Sequence, residues 1–396
     1  MRQLAFLQLA RQNDPAGLLE VGDAKLSGAR ITLVIGTRPE AIKLAPVAHA
    51  LAQRGAPPSL ILTGQHPGLV LGEHGLSGYC ATRLDCIGQD DPRDHALTVS
   101  TAVAALLAEP PDLLVVQGDT SSALGGAVAG VAVGVPIAHV EAGLRSFDIR
   151  MPWPEEHNRI AIDAVADLLF APTETSAANL GQEDLDGVIH VTGNTGIDAL
   201  FATLATLPAP RPRQLYQAPL ILVTCHRREN WGAGLTSVGL ALIEIARSNL
   251  ARIDCVLHPN PAIRESMHLL LDGEPGIRLV EPYNHRAMIA AMRDADLILS
   301  DSGGVQEEAP ALGIPLLVLR EKTERPEGVA SGNMILVGTG AAAIVGEATR
   351  LLANPQALAA MARPALPFGD GRAGPRIAAH MLDWLAVRRD AARRRA

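Results

Sequence analysis

The chain has 396 residues, a formal net charge of −8, 48% hydrophobic residues and only 3% aromatic ones. That length allows two domains with sizeable cores, while the acidic balance and the scarcity of stacking rings argue against a nucleic-acid binder. The four cysteines lack CxxC spacing, which argues against a disulfide framework or a structural zinc site, and no run approaches the roughly 20 apolar residues of a membrane span.

Residues 1–29 read as an extension. They carry Asp14, Glu20 and Asp23 and lack the long apolar stretch of a signal peptide, so a cytoplasmic location is expected. From Ile31 onward, short β-branched runs alternate with Ala-rich, helix-length segments. Ile31–Ile35, Ser59–Leu62, Leu113–Gln117, Pro136–Val140, Leu168–Ala171 and Val188–Val191 are predicted as buried parallel strands. Helices are predicted over Glu40–Arg54, Ser121–Val133 and Glu155–Ala166. Pro208, Pro210, Pro212 and Pro219 crowd the stretch Leu207–Pro219, where neither helix nor strand continues, so a domain boundary is expected there. The alternation then restarts with strands predicted at Leu220–Thr224, Arg252–Leu257, Ile277–Glu281, Leu297–Ser300 and Leu316–Leu319. The fold class expected is α/β: two Rossmann-like doubly wound domains, 30–207 and 219–370, facing across a cleft. Residues 371–396 form a closing helix expected to pack back on the first domain, its basic end Arg388–Arg395 suiting a helix C-terminus.

In such sheets ligands bind beyond the carboxyl ends of the strands, so the residues directly after each strand are the candidates. After the first strand comes Gly36-Thr37-Arg38-Pro39-Glu40, opening a helix that carries Lys43. Helix-start amides with Arg38 and Lys43 would make an anion site; the bland alternative is a helix cap with solvated charges. The loop is neither GxGxxG nor a Walker motif, which weakens NAD and ATP-hydrolase readings. Later strands run into Gly118-Asp119-Thr120 and Glu141-Ala142-Gly143, and a loop with Trp153 leads into Glu155-Glu156. Asp119 could simply cap a helix and Glu155 favour a helix N-terminus. Gathered at one sheet edge, Asp119, Glu141 and Glu155 would raise one another's pKa and serve as acid and base groups.

The second half supplies His226 after its first strand and Ser302-Gly303-Gly304 opening a helix, where free backbone N–H groups suit a pyrophosphate. Glu308 could reach a ribose hydroxyl pair, and Arg325 adds a cation. A nucleotide diphosphate on one wall with acid/base chemistry on the other is the economical reading.

Taken in order, these motifs resemble those of the bacterial non-hydrolysing UDP-N-acetylglucosamine 2-epimerase family. The matching residues include Gly36–Glu40, Gly118–Thr120, His139–Arg145, Pro152–Glu156, Asn158-Arg159, Gly193–Thr195, His226–Glu229, Asp301–Pro310 and Thr323–Glu327. The resemblance covers the chain from about Ile31 to its end. It implies a GT-B-like fold, a homodimer, and interconversion of UDP-GlcNAc and UDP-ManNAc by elimination and re-addition of UDP through a 2-acetamidoglucal, feeding surface polysaccharide. By position, Asp119, Glu141, Glu155 and His226 resemble the family's catalytic groups, with His226 read as stabilising the departing UDP oxyanion. Arg38, Lys43, Ser302, Gly303, Gly304, Glu308 and Arg325 resemble its substrate contacts. The partners implied are the UDP-sugar and a second copy of the chain, with no cofactor, metal, nucleic acid or membrane.

The chain departs from the family pattern in places. Tyr283 and Met288 stand where Gln and Phe are usual, and Pro67-Gly68 interrupts the motif after Gln65-His66 that belongs to an activating second-substrate region. Rival readings are a 2-epimerase of a UDP-2,3-diacetamido-uronic acid, a hydrolysing epimerase, a GT-B glycosyltransferase and a non-catalytic sensor.

Overall fold

The computed structural model describes residues 28–209, 218–225, 227 and 230–395, in two compact α/β units. Among these residues the first unit comprises 28–199 and 368–395, and the second runs from Leu200 to Pro367. The division falls inside the helix Thr195–Thr206, upstream of the proline-rich stretch, most of which lies outside the described residues.

The first unit is built on seven parallel strands in the order β3-β2-β1-β4-β5-β6-β7. These are β1 (Ile31–Ile35), β2 (Ser59–Leu62), β3 (Ala81–Arg83), β4 (Leu113–Gln117), β5 (Ile137–Val140), β6 (Leu168–Ala171) and β7 (Val188–Val191). The central strands are buried along their whole length because both faces are covered. Ile31, Leu33 and Ile35 of β1 join one core with Leu113 and Val115 of β4 and Leu168 and Phe170 of β6. The intervening Val34, Leu114, Val116 and Leu169 join a second core. A period of two thus feeds two helix layers from one strand.

Helices α1 (Arg38–Gln53) and α14 (Ala373–Arg395) cover the first face, while α2 (Pro92–Leu106), α3 (Ser121–Val133), α4 (Glu155–Asp163) and α5 (Glu174–Leu180) cover the second. The closing helix buries Ala373, Ile377, Met381, Leu382 and Leu385, a stripe at helical spacing. Asp198 of α6 (Thr195–Thr206) caps its start, accepting from the Ala373 N–H at 3.1 Å and the Gly374 N–H at 2.8 Å. Gly374 lies so close to α1 that a Cβ there would come within 2.8 Å of the Pro46 carbonyl carbon and oxygen.

The second unit has six parallel strands in the order β10-β9-β8-β11-β12-β13. They are β8 (Leu220–Thr224), β9 (Arg252–Val256), β10 (Ile277–Val280), β11 (Leu297–Ser300), β12 (Leu316–Val318) and β13 (Met334–Leu336). Its core packs Ile221, Val223, Ile253, Leu297, Leu299 and Leu317 against α7 (Ala233–Arg247), α8 (Pro261–Leu271) and α12 (Ala341–Ala353). The other face is served by α9 (His285–Asp294) and α10 (Gly303–Leu312), with the short helices α11 (Pro326–Ala330) and α13 (Pro355–Met361) completing the unit.

Two strands were not predicted, β3 and β13. Each has three residues and sits at a sheet edge, and β3 is exposed throughout, so neither carries a burial pattern for a sequence to display. No helix among the described residues is long and apolar enough to cross a membrane.

Candidate active site

Strand order reverses between β1 and β4 in the first sheet, which opens a crevice beyond their carboxyl ends. The loop after β1 lies hard against its neighbours: a Cβ on Gly36 would come within 2.2 Å of Ser122 Oγ, so only glycine fits. Thr37 caps α1, and Glu40 completes a capping box. The Glu40 carboxylate accepts from the Gly36 N–H, from the Thr37 N–H at 3.0 Å, and from the Thr120 hydroxyl across the crevice. The anion held by this helix start is therefore the chain's own Glu40. Glu40 is 2% exposed, and its burial pushes the carboxyl up to about 7, with the Asp119 charge adding to the effect. Arg38 is exposed, with its N–H directed at His66 Nδ1 at 3.4 Å.

Asp119, directly before Thr120, meets Arg159 of α4 at 2.5 Å. The same guanidinium bonds Glu156 at 2.6 Å, and Asn158 donates to the Asp119 carbonyl at 2.9 Å. Glu156 in turn accepts the Ser146 and Phe147 N–H groups at 2.9 and 3.0 Å, pinning the loop that follows β5. Glu141, the first residue after β5, has φ +73°, a backbone region that side chains other than glycine rarely adopt. Its carboxylate receives Lys43 Nζ at 2.6 Å and Gln117 Nε2 at 2.5 Å. Asp119 and Glu141 are thus each paired with a cation of their own. Glu155 is half-buried in the first turn of α4, four positions before Arg159.

Behind these residues lies a buried polar frame. His139 of β5 bridges the Gly118 carbonyl at 2.8 Å and Asp163 at 2.6 Å, so it braces the residue before Asp119. Asp163 also accepts from Arg145 at 2.7 Å, and Arg145 is held by Glu183. The charges of His139 and Arg145 outweigh burial and keep the Asp163 carboxyl below the usual carboxylate range.

The second sheet reverses between β8 and β11, where Asp301 is fully buried. It accepts from the Arg227 N–H at 3.0 Å and from Asn230 Nδ2 at 2.8 Å, tying the two loops at the reversal together. Ser302 is the N-cap of α10 without making a side-chain cap, which leaves the Gly303-Gly304 turn uncapped by the chain. The Arg325 guanidinium lies over Gly303: a Cβ there would be 2.9 Å from its atoms. Arg325 is set by Glu307, at 2.6 Å, and by Glu324. Glu324 also faces Arg320 at 2.9 Å and Arg227 at 3.5 Å. Glu308 is 3.5 Å from His285 at the start of α9. His226 lies outside the described residues.

The structure therefore gathers Asp119, Glu141 and Lys43 at one sheet edge in the first unit, and Ser302, Gly303 and Arg325 at another in the second. Sequence reasoning missed Glu40, Gln117, Arg159, Asp163 and Asp301 as site-builders. A signal existed for Glu40 in the Thr37-x-x-Glu40 spacing, but that spacing announces only a cap. The others carry no local signature, since each acts on a partner far away in the chain.

Residues 49–382 match the family model described as UDP-N-acetylglucosamine 2-epimerase. The UDP-N-acetylglucosamine 2-epimerase of Yersinia pestis is 41% identical over 372 residues, covering 88% of this chain and 97% of that protein. The crystal structure of UDP-GlcNAc 2-epimerase from Neisseria meningitidis bound to UDP-GlcNAc superposes with a TM-score of 0.84 at 35% identity, covering 89% of this chain and 100% of that one. The Methanocaldococcus jannaschii UDP-GlcNAc 2-epimerase in complex with UDP-GlcNAc and UDP gives a TM-score of 0.77 at 32% identity, covering 90% and 99%. Sucrose-phosphate synthase from Thermosynechococcus elongatus shares the fold alone, with a TM-score of 0.59 at 16% identity over 92% of this chain and 98% of that one.

Proposed function

The chain belongs to the UDP-N-acetylglucosamine 2-epimerase family, and from that premise we propose that it interconverts UDP-GlcNAc and UDP-ManNAc without hydrolysing either. One observation carries the reading beyond the kinship. Asp119 and Glu141 stand at the carboxyl ends of neighbouring strands, each paired with its own cation.

The chemistry needs such groups because the proton on carbon 2 of the sugar is not adjacent to a carbonyl, so simple deprotonation is prohibitive. As a carboxylate takes that proton, the bond from carbon 1 to the UDP oxygen breaks, leaving a 2-acetamidoglucal and UDP. Re-addition of UDP to carbon 1, with a proton delivered to the opposite face of carbon 2, gives the epimer, and no atom is gained or lost. In the first unit Asp119, Glu141 and Glu155 supply the acid and base groups. In the second, the amides at Ser302, Gly303 and Gly304 with Arg325 hold the diphosphate, Glu308 holds the ribose, and His226 stabilises the oxyanion as UDP departs. Arg38 and Lys43 complete the substrate contacts, Lys43 also orienting Glu141.

We further read the protein as a cytoplasmic homodimer. A second copy is supported by exposed Leu97 on α2 and by Val128 and Val131 on α3, at 67%, 45% and 54% exposure. Light scattering on the purified protein at micromolar concentration tests this, and a monomer mass counts against it.

The deciding experiment is proton NMR of the pure enzyme with UDP-GlcNAc in deuterium oxide. UDP-ManNAc carrying deuterium at carbon 2 is the expected product. Free ManNAc or an unchanged spectrum would overturn the reading.

A further inference from the structure

Glu40 does more than a helix cap requires. A capping box needs one bond from the glutamate to the N-cap N–H, and a solvent-exposed carboxylate can make it. Here the side chain is 2% exposed, and one of its oxygens turns away from the helix to accept the Thr120 hydroxyl, 80 residues on in the chain. Thr120 is the N-cap of α3, receiving the Ala123 N–H at 3.0 Å, and it adjoins Asp119. The loop bearing Asp119 is therefore gripped from two sides. Arg159 and Asn158 hold it from α4, and Glu40 holds it from the first turn of α1.

We propose that Glu40 is a positioning residue for epimerisation, a carboxyl clasp across the β1/β4 reversal that sets the backbone of the Asp119 loop. The proposal rests on the epimerase reading for its kinetic consequence and on the geometry alone for the clasp. A carboxyl suits the task because its two oxygens serve three donors, two backbone N–H groups on one side and a hydroxyl on the other. The ionisable groups around the junction are Asp119 with its partner Arg159, Lys43 with its partner Glu141, Arg38 at the start of α1, and His66 on the loop after β2. Burial and the Arg38 charge hold the His66 imidazole below its ordinary pKa, while burial pushes the Glu40 carboxyl up to about 7. The clasp thus changes protonation in the neutral range. Glutamine mimics its protonated form, with the amide oxygen accepting from the backbone and the NH2 group turned to Thr120.

The test compares Glu40→Ala with Glu40→Gln. Glu40→Ala is expected to lower kcat about 10- to 100-fold with KM changed less than about threefold, the signature of a displaced reacting group. Glu40→Gln is expected to recover kcat to within about fivefold and to lose any limb of the kcat–pH profile centred near pH 7. Wild-type kcat in Glu40→Ala, or equal losses in both variants, would overturn the proposal. Should the wild type show no epimerisation at all, the function reading fails, and amide NMR then decides on the clasp. The Asp119 and Thr120 amide signals are expected to move with the Glu40 titration in the wild type and to stay still in Glu40→Gln. Signals that ignore that titration would overturn the clasp whatever the enzyme's activity.

Discussion

Asp198 joins the closing helix to the first unit at a measurable electrostatic cost. It is 8% exposed, accepts the Ala373 and Gly374 N–H groups, and burial, with Asp370 nearby, lifts its carboxyl from 3.8 to about 6. Because the folded-state pKa is raised, the group's contribution to stability is fully present below the unfolded value and is lost as pH rises through the folded one. A rise of roughly two units corresponds to about 3 kcal/mol, of which about 2 kcal/mol is lost between pH 4.5 and pH 8. Asp198→Asn removes that dependence. It adds a constant penalty of about 1–3 kcal/mol, because the new NH2 group faces a backbone N–H that needs an acceptor. Urea denaturation of both proteins at pH 4.5, 6 and 8 is the assay. The variant should be clearly weaker at pH 4.5 and close to the wild type at pH 8. A stability difference that stays flat over this range would refute the reasoning, since the buried carboxyl would then not be titrating there.

The remaining expectations concern chemistry. Asp119→Asn, Glu141→Gln and His226→Ala should each cost about 100- to 1000-fold in turnover, and near-wild-type rates in all three would sink the site assignment. Gly303→Ala places a methyl 2.9 Å from the Arg325 guanidinium. Moving the arginine breaks its buried pairs with Glu307 and Glu324, so the thermal midpoint should fall while KM for the UDP-sugar rises about tenfold or more; an unchanged KM would remove Arg325 from the binding site. Of the four thiols Cys80 is exposed, whereas burial pushes Cys225 well above its ordinary value, with Asp301 adding, and Cys255 up to about 12. One thiol per chain should therefore react promptly with a chromogenic disulfide at pH 8 and the others only on denaturation. Prompt reaction of two or more would show that these cores are less closed than described.

The sequence by itself determined every strand but the edge strands β3 and β13, because an apolar run between turn residues is a local pattern that needs no partner to be read. β1, β4 and β6 are apolar but for Thr32 and Gln117, and glycine and proline mark the turns between them. It also carried the order of the motifs, and with it the family. The tertiary structure alone decided which charges meet. Lys43 and Glu141 are 98 residues apart, Asp119 and Arg159 are 40 apart, and Glu40 and Thr120 are 80 apart. Read locally, Arg38 and Lys43 offer an anion site and three carboxylates share an edge. Once strand order brings β1 beside β4 and β5 beyond it, Lys43 turns to Glu141, and the first turn of α1 closes on Glu40. Hydrophobic periodicity is a property of consecutive residues. An ion pair is a property of two residues whose separation is set by how the sheet is wound, and no stretch of sequence records that distance.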